Sequence, residues 1–179
     1  MVPEARVIDG PNGKQPEGDG WFVLNARESE WITSDDFGAG MVFPNEESFP
    51  HYGINIQVMW PGQPNCYYHA EEGQEDFLIL SGECLLLVEG EERRLGPWDF
   101  VHTPPWTEHI FVGAGDGPCV ILMAGARPGD WQVRYPVSEL AARHGASAKE
   151  ETPDPDVAYA DFEPSRRARP SYWNRLPWA

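Results

Sequence analysis

Residues 65–83 read NCYYHAEEGQEDFLILSGE and place one histidine and five acidic residues directly beside an apolar run. Alternate side chains of a β-strand point to the same face, so His69, Glu71 and Glu75 face inward together if the strand runs without a bulge. Burying two carboxylates side by side is costly, because desolvation and mutual repulsion act in the same direction. A divalent cation removes both costs, so the segment predicts an inward-facing metal site on a strand.

A further ligand is expected from residues 98–112, WDFVHTPPWTEHIFV, where a strand, a proline turn and a second strand would bring His109 beside the first three. Two imidazoles with one or two carboxylates suit Fe(II), Mn(II), Ni(II), Zn(II) or Cu(II) and leave open positions for water or substrate. The predicted ligands are therefore His69, Glu71, Glu75 and His109, around one divalent transition metal such as Fe, Mn, Zn or Ni. The catalytic candidates are Glu75, as a spare base, and Tyr67, which shares the parity of His69.

Short segments of strand composition, bounded by Gly- and Pro-rich turns, recur from residue 21 onward. Such closely spaced strands, with almost no helical pattern, predict an all-β antiparallel sandwich or closed barrel. The predicted strands are residues 21–24, 40–43, 53–60, 75–80, 84–88, 98–102, 109–112 and 119–124, with a turn at residues 44–50. Within residues 53–60, either the polar set of Asn55 and Gln57 or the alternating apolar set could face the interior.

The 179 residues indicate one domain with additions at both ends. Residues 1–20, rich in Gly, Pro and charge, predict an irregular N-terminal arm, and residues 21–135 the barrel. Residues 136–179 predict one short helix, capped by Ser138 and ended by Gly145, followed by an extended Pro- and aromatic-rich tail. We expect the tail to pack on the barrel or on a second subunit.

The formal net charge of −16 disfavours nucleic-acid binding, because a phosphate backbone would be repelled. No apolar stretch is long enough to cross a bilayer, and the N-terminus does not resemble a secretory signal, so a cytoplasmic location is expected. Cys84 and Cys119 lie in apolar runs and are interpreted as buried free thiols. Apolar runs on both faces of residues 75–88 favour a homodimer.

Two motifs in order resemble those of the cupin family. Residues 62–82, with Gly62, His69, Glu71, Glu75 and Gly82, are similar to the first cupin motif, and residues 98–113, with Pro104 and His109, to the second. The resemblance covers residues 50–125. It implies a jelly-roll barrel, also called a double-stranded β-helix, with a metal near one mouth.

The chain departs from the family pattern at several positions. Glu71 stands where the family usually has its second histidine, and Trp98, Trp106 and Gly113 replace the usual glycine, glycine and asparagine. A shifted alignment would instead place Tyr68 and Ala70 at the two histidine positions and leave a relative without metal ligands.

Two functions remain open at this point. The first is a mononuclear metalloenzyme acting on a small organic substrate, of dioxygenase, lyase or isomerase type. The second is a non-catalytic cupin that binds or senses a small ligand. Fold alone does not decide between them.

Overall fold

The computed structural model describes residues 1–42, 49–129 and 131–179, and within them the chain is 45% strand and 6% helix. The strands are Arg6–Gly10 (β1), Gly13–Glu17 (β2), Glu30–Ser34 (β3), Gly38–Val42 (β4), Tyr52–Met59 (β5), Ala70–Glu71 (β6), Glu75–Ser81 (β7), Glu83–Val88 (β8), Glu91–Leu95 (β9), Phe100–Thr103 (β10), His109–Ala114 (β11), Cys119–Ala126 (β12), Val133–Arg134 (β13) and Arg166–Arg167 (β14). The helices are Glu139–Ala142 (α1) and Pro155–Ala158 (α2), with a 3-10 turn at Trp173–Arg175. No helix in these ranges is long and apolar enough to cross a membrane.

Two antiparallel sheets form the barrel. The larger has the order β10-β7-β12-β5-β4-β3-β14, and the smaller the order β11-β8-β9. Phe77 of β7 and Phe111 of β11 meet between the sheets with ring centroids 4.7 Å apart, in a core with Met59, Ile79 and Ile121. This is the predicted all-β jelly-roll barrel.

Most of the predicted strands are present. Five predicted segments correspond to β5, β7, β8, β11 and β12, namely residues 53–60, 75–80, 84–88, 109–112 and 119–124. The strand predicted at 98–102 corresponds to β10, which begins later, at Phe100. The segment at 40–43 corresponds to β4, although Phe43 and residues 44–48 of the predicted turn lie outside the described residues. The strand predicted at 21–24 was wrong, because Trp21 makes only an isolated bridge with Glu4.

The prediction of an irregular arm at residues 1–20 was also wrong. β1 and β2 form a hairpin in which Gly10 pairs with Gly13 across the two-residue turn Pro11-Asn12. Val7 and Ile8 are both exposed, so the hairpin lacks the buried face that produces an alternating pattern. The buried Glu30 carboxylate holds it to the barrel by accepting a hydrogen bond from Gln15, and it also pairs with Arg167 at 2.7 Å.

The orientation of β5, open in the sequence, is clear in the structure. Gln57 points inward, where its Nε2 donates to the Asn65 carbonyl at 3.1 Å, and Met59 lies in the core between the sheets. Val58 faces outward against Trp31 and Trp173. The polar set of β5, Asn55 and Gln57, therefore faces the barrel interior.

The C-terminal region packs on the barrel. The predicted helix is present, since Ser138 accepts from the Ala141 amide at 3.2 Å and Gly145 has φ +69°. The tail is not wholly extended, because it contains the short helix α2. This helix has Pro155 in its first turn and Asp154 as its N-cap, both of which favour a helix start. The homodimer stays a prediction.

Two tryptophans that replace family glycines keep a glycine-like backbone. Trp98 and Trp106 have φ of 74° and 67°, in the left-handed region that side chains with a Cβ rarely adopt. The Trp98 side chain is 75% exposed, so little packing offsets the strain.

We expect Trp98→Gly to stabilise the protein by about 1 kcal/mol in urea unfolding, because glycine adopts this conformation without strain. Trp21→Gly is the control, since Trp21 is also exposed but is not among the residues with positive φ. That variant should be slightly less stable than the wild type. A loss of stability in Trp98→Gly equal to that in Trp21→Gly would contradict the assignment of strain.

Candidate metal centre

The backbone itself brings the two predicted histidine ligands together. His69 and His109 form an antiparallel bridge, in which the His109 amide donates to the His69 carbonyl at 2.9 Å and the His69 amide returns a bond at 3.3 Å. Directly opposite residues present their side chains on one face, and the two ring centroids lie 5.0 Å apart. This backbone bridge therefore fixes the separation of the two imidazoles.

Both imidazoles are held in one tautomer. Nδ1 of His69 lies 2.8 Å from the Tyr67 carbonyl oxygen, and Nδ1 of His109 lies 2.9 Å from that of Thr107. A carbonyl oxygen can only accept, so each Nδ1 carries hydrogen and donates. In the neutral rings each Nε2 then has a free lone pair, which is the arrangement of metal-binding histidines.

Glu75 begins β7 and points its carboxylate at the imidazoles. Its Oε2 lies 3.1 Å from His109 Nε2 and is buried, with no well-aligned hydrogen-bond donor among the described residues. It pairs with Gly125 of β12, where a Cβ would lie 3.4 Å from Glu75 Cγ. A buried carboxylate oxygen needs a cation or a donor to offset its desolvation, and here the imidazole of His109 is placed to provide one.

The donor atoms of His69, Glu75 and His109 all lie within 4.8 Å of one another. Burial and the charge of His109 lower the pKa of His69 to about 4, so this imidazole is neutral, as a metal ligand must be. Burial also lowers the pKa of His109, but the contact with Glu75 and its charge outweigh this and leave the pKa raised. A metal would have to displace the second proton of His109, after which two imidazole nitrogens and one carboxylate match the ligand set of a divalent transition metal with open positions.

Glu71 lies outside this group of three, contrary to the predicted four-ligand set. Glu71 shares the strand parity of His69, and the chain bends only after it, before Glu75 begins β7. The Glu71 Oε2 accepts a hydrogen bond from Trp131 Nε1 at 3.2 Å instead. Burial raises the pKa of Glu71 to about 7, and the charge of Glu75 adds to the rise.

Tyr67 is placed away from the predicted catalytic position. Its ring stacks on Tyr159 at 5.0 Å and packs edge-on against Phe37 at 5.5 Å. Burial raises the pKa of its hydroxyl, and the charge of Asp161 adds to the rise while that of Lys149 opposes it. Tyr67 contributes to the site through its carbonyl, which orients His69.

The shifted alignment is incompatible with the side-chain directions. Tyr68 points away from the imidazoles, and its hydroxyl accepts from the Gly90 amide at 3.2 Å. Ala70 is fully buried, and its methyl side chain has no atom that could bind a metal.

Sequence reasoning missed a polar cluster beside the histidines. Cys66 Sγ lies 3.5 Å from His69 Nδ1, and burial raises the pKa of this thiol. Tyr135 packs against His69 with centroids 6.1 Å apart, and burial raises its pKa to about 12. Cys66 lies in a loop and Tyr135 directly follows β13, so strand parity gives no signal for them.

The remaining histidines do not join the centre. His102 pairs with Asp76 at 2.7 Å on the outer face, and His144 with Glu92 at 2.9 Å. His51 is exposed. Cys84 and Cys119 are fully buried free thiols, as predicted.

Two cavities adjoin the centre. The large cavity, of about 820 Å³, has Glu75 in its wall together with Asn55, Met123, Arg127 and Trp131. The small cavity, of about 520 Å³, is lined by Cys66, Gln57, Asn55 and the tail residues Tyr159 and Phe162. A small organic molecule in the large cavity would lie against Glu75.

Solved structures with this fold include enzymes of several kinds. A sugar phosphate isomerase from Silicibacter pomeroyi is 18% identical, with TM-score 0.56 over 62% of this chain and 79% of that one. A predicted oxalate decarboxylase from Thermotoga maritima is 17% identical, with TM-score 0.53 over 59% and 99%. These likenesses establish the fold alone.

A proposed sugar phosphate isomerase from Acidithiobacillus ferrooxidans is 31% identical over 48% of this chain, with TM-score 0.46. The match spans 56% of that protein's length. No curated protein matches the chain significantly. Residues 55–125, which include most of β5 and β12 and all three clustered side chains, match the family described as the cupin domain. Residues 55–125 thus carry the match to the cupin domain, and the solved structures that the chain resembles are cupin-superfamily proteins.

Proposed function

We propose that this protein is a mononuclear metalloenzyme acting on a small organic substrate. His69, Glu75 and His109 would hold one divalent transition metal, such as Fe, Mn, Zn or Ni. The observation that supports the proposal is that candidate ligand atoms of two buried imidazoles and one carboxylate lie within 4.8 Å of one another, with each Nδ1 turned to a carbonyl oxygen. A bound metal would supply Lewis-acid chemistry, or O₂ activation if it is iron.

The chain's own residues support a reaction of dioxygenase, lyase or isomerase type. The apolar side chains around Glu75 in the large cavity would exclude water from a bound substrate. Glu71 is a carboxyl group beside the cluster but outside the ligand group, and Trp131 orients it. We assign Glu71, rather than Glu75 or Tyr67, the task of moving a proton to or from the substrate.

The test is a turnover screen of protein reconstituted separately with Fe(II), Mn(II), Zn(II) and Ni(II). Each form is incubated with a panel of small organic acids, sugars and their phosphates, with O₂ consumption and mass spectrometry as readouts. For any substrate found, Glu71→Gln should keep the metal and lower kcat about 100-fold or more, the usual effect of removing a proton-transfer group.

Unchanged kcat in Glu71→Gln would contradict the role of that residue. A metal-loaded protein that binds a compound of the panel and converts none would favour the second function, a non-catalytic cupin that binds or senses a small ligand.

A further inference from the structure

Asn55 lies on the inner face of β5 with one unpaired polar atom. Its Oδ1 is buried and receives no hydrogen bond from any residue that the structure describes. Gln57, the next inward residue of the strand, differs in this respect, because its Nε2 donates to the carbonyl oxygens of Phe37 at 3.4 Å and Asn65 at 3.1 Å. A buried acceptor without a donor lowers stability, so such an atom in a folded chain points to a further partner.

Asn55 belongs to the walls of both cavities that adjoin the metal centre. Gly40 of β4 is its neighbour, and a Cβ there would stand 3.4 Å from Asn55 Nδ2 and 3.7 Å from Oδ1. Because Gly40 has no side chain, this side of the amide is uncovered. Gly40 also lines the small cavity, so the uncovered side of the amide faces space that a ligand group can enter.

Strand register places Asn55 and Glu75 on the same face of the larger sheet. Asn55 pairs with Met123 of β12, and Met123 pairs with Phe77 of β7, which lies two residues after Glu75. Directly paired residues share a face, as do residues two apart on one strand. Two strand spacings and one step of two residues separate the Cα atoms of Asn55 and Glu75, roughly 12 Å. Both residues line the large cavity, so a small molecule in it can contact both.

The chemistry of the amide indicates which ligand group fits. An amide oxygen accepts hydrogen bonds, so an ionised carboxylate or a carbonyl group offers it no donor. A hydroxyl group fits better, because it donates to Oδ1 and can also accept from Nδ2 of the same amide. A site that hydrogen-bonds a hydroxyl rejects an analogue without one, because its own buried polar group is then left unpaired.

We propose that the large cavity binds a small hydroxyl-bearing compound, whose hydroxyl group donates to Asn55 Oδ1 while its other end reaches the metal centre. Asn55 thereby determines specificity, because it distinguishes a hydroxylated compound from its apolar analogue. The contact with the metal centre rests on the proposed function, whereas the pairing of the hydroxyl group with Asn55 does not.

Isothermal titration calorimetry tests the proposal with two matched pairs of probes, 4-hydroxybutyrate beside pentanoate and 6-hydroxyhexanoate beside heptanoate. In each pair a methyl group replaces the hydroxyl group, so the size of the probe is kept. Wild type, Asn55→Leu, Asn55→Asp and Asn174→Leu are titrated both metal-free and loaded with Mn(II). Asn174 is an exposed asparagine that lines neither cavity, so its variant is the matched control.

We expect the wild type to bind at least one hydroxy acid about fivefold or more tightly than its methyl counterpart. Asn55→Leu should abolish this preference, because leucine has a similar volume but no acceptor. Asn55→Asp should keep it, since a carboxylate oxygen still accepts, and Asn174→Leu should leave it unchanged. If Asn55→Leu does not fold, Asn55→Ala takes its place with the same expected result. A preference that needs Asn55 in the metal-free protein would also support the pairing, whatever the fate of the metal function.

Equal affinities within both pairs of probes in the wild type would overturn the proposal, as would a preference of the same size in Asn55→Leu and the wild type. If Mn(II) binds stoichiometrically in the same samples, that failure leaves the proposed metal function intact.

Discussion

Glu75→Gln, His69→Ala and His109→Ala are each expected to lower the affinity for Mn(II) or Zn(II) more than about 100-fold. Losing an outer partner of a ligand already costs about 10- to 100-fold, and these side chains would contact the metal directly. Glu75→Gln keeps the volume of the side chain but removes its charge, so it isolates the electrostatic part of the effect. Metal titration with a competing chelator measures the change.

Two control variants test whether metal affinity depends on the three ligands or on any imidazole or carboxylate of the chain. His102→Ala removes an imidazole that pairs with Asp76 on the outer face of β10, and Glu71→Gln removes a carboxylate outside the group of three. Both variants should bind metal within about fivefold of the wild type, because neither side chain belongs to the ligand group. Equal losses in Glu71→Gln and Glu75→Gln would restore the four-ligand set predicted from the sequence.

Trp31→Ala is expected to lower the free energy of unfolding by about 3–5 kcal/mol, the usual cost of truncating a fully buried large side chain. Trp31 is fully buried on β3, with its ring 5.3 Å from that of Trp173 and 5.8 Å from that of Trp178. Its removal would leave a cavity under the C-terminal tail. Urea unfolding measures the loss, and limited proteolysis reports whether the tail detaches.

Trp21→Ala is the matched control for this prediction. Trp21 is 52% exposed, so its truncation should change the free energy of unfolding by less than about 1 kcal/mol. A loss below 1 kcal/mol in Trp31→Ala would show that the tail does not cover β3 in solution.

Strand alternation together with the two motifs located the three clustered side chains. His69 and His109 belong to one bridge, and Glu75 begins the next inward-facing strand, so alternation and two motifs located them. Parity did not exclude Glu71, because the hydrogen bond to its carboxylate comes from Trp131, which is distant in the sequence. The chain bends at residues 72 and 73 before β7 begins. Gly73 lies in this bend, where a Cβ would stand 2.7 Å from Glu71 Oε1.

Other features depend on contacts between distant segments. The hairpin of β1 and β2 is held by the buried Glu30 and has no buried apolar face of its own, so its composition indicates a loop. The row of Gly53, Gly125 and Glu75 follows from the register of β5, β12 and β7, which hydrophobic periodicity does not determine. The barrel, by contrast, follows from short alternating strands and turn residues.

The most direct test of the metal centre is elemental analysis of the full chain purified without chelators or an affinity tag. The proposed function predicts close to one divalent transition metal per chain in the wild type, and almost none in a His69→Ala, Glu75→Gln double variant that retains its fold. A wild-type protein that holds no metal, even after reconstitution with Fe(II), Mn(II), Zn(II) and Ni(II), would contradict it.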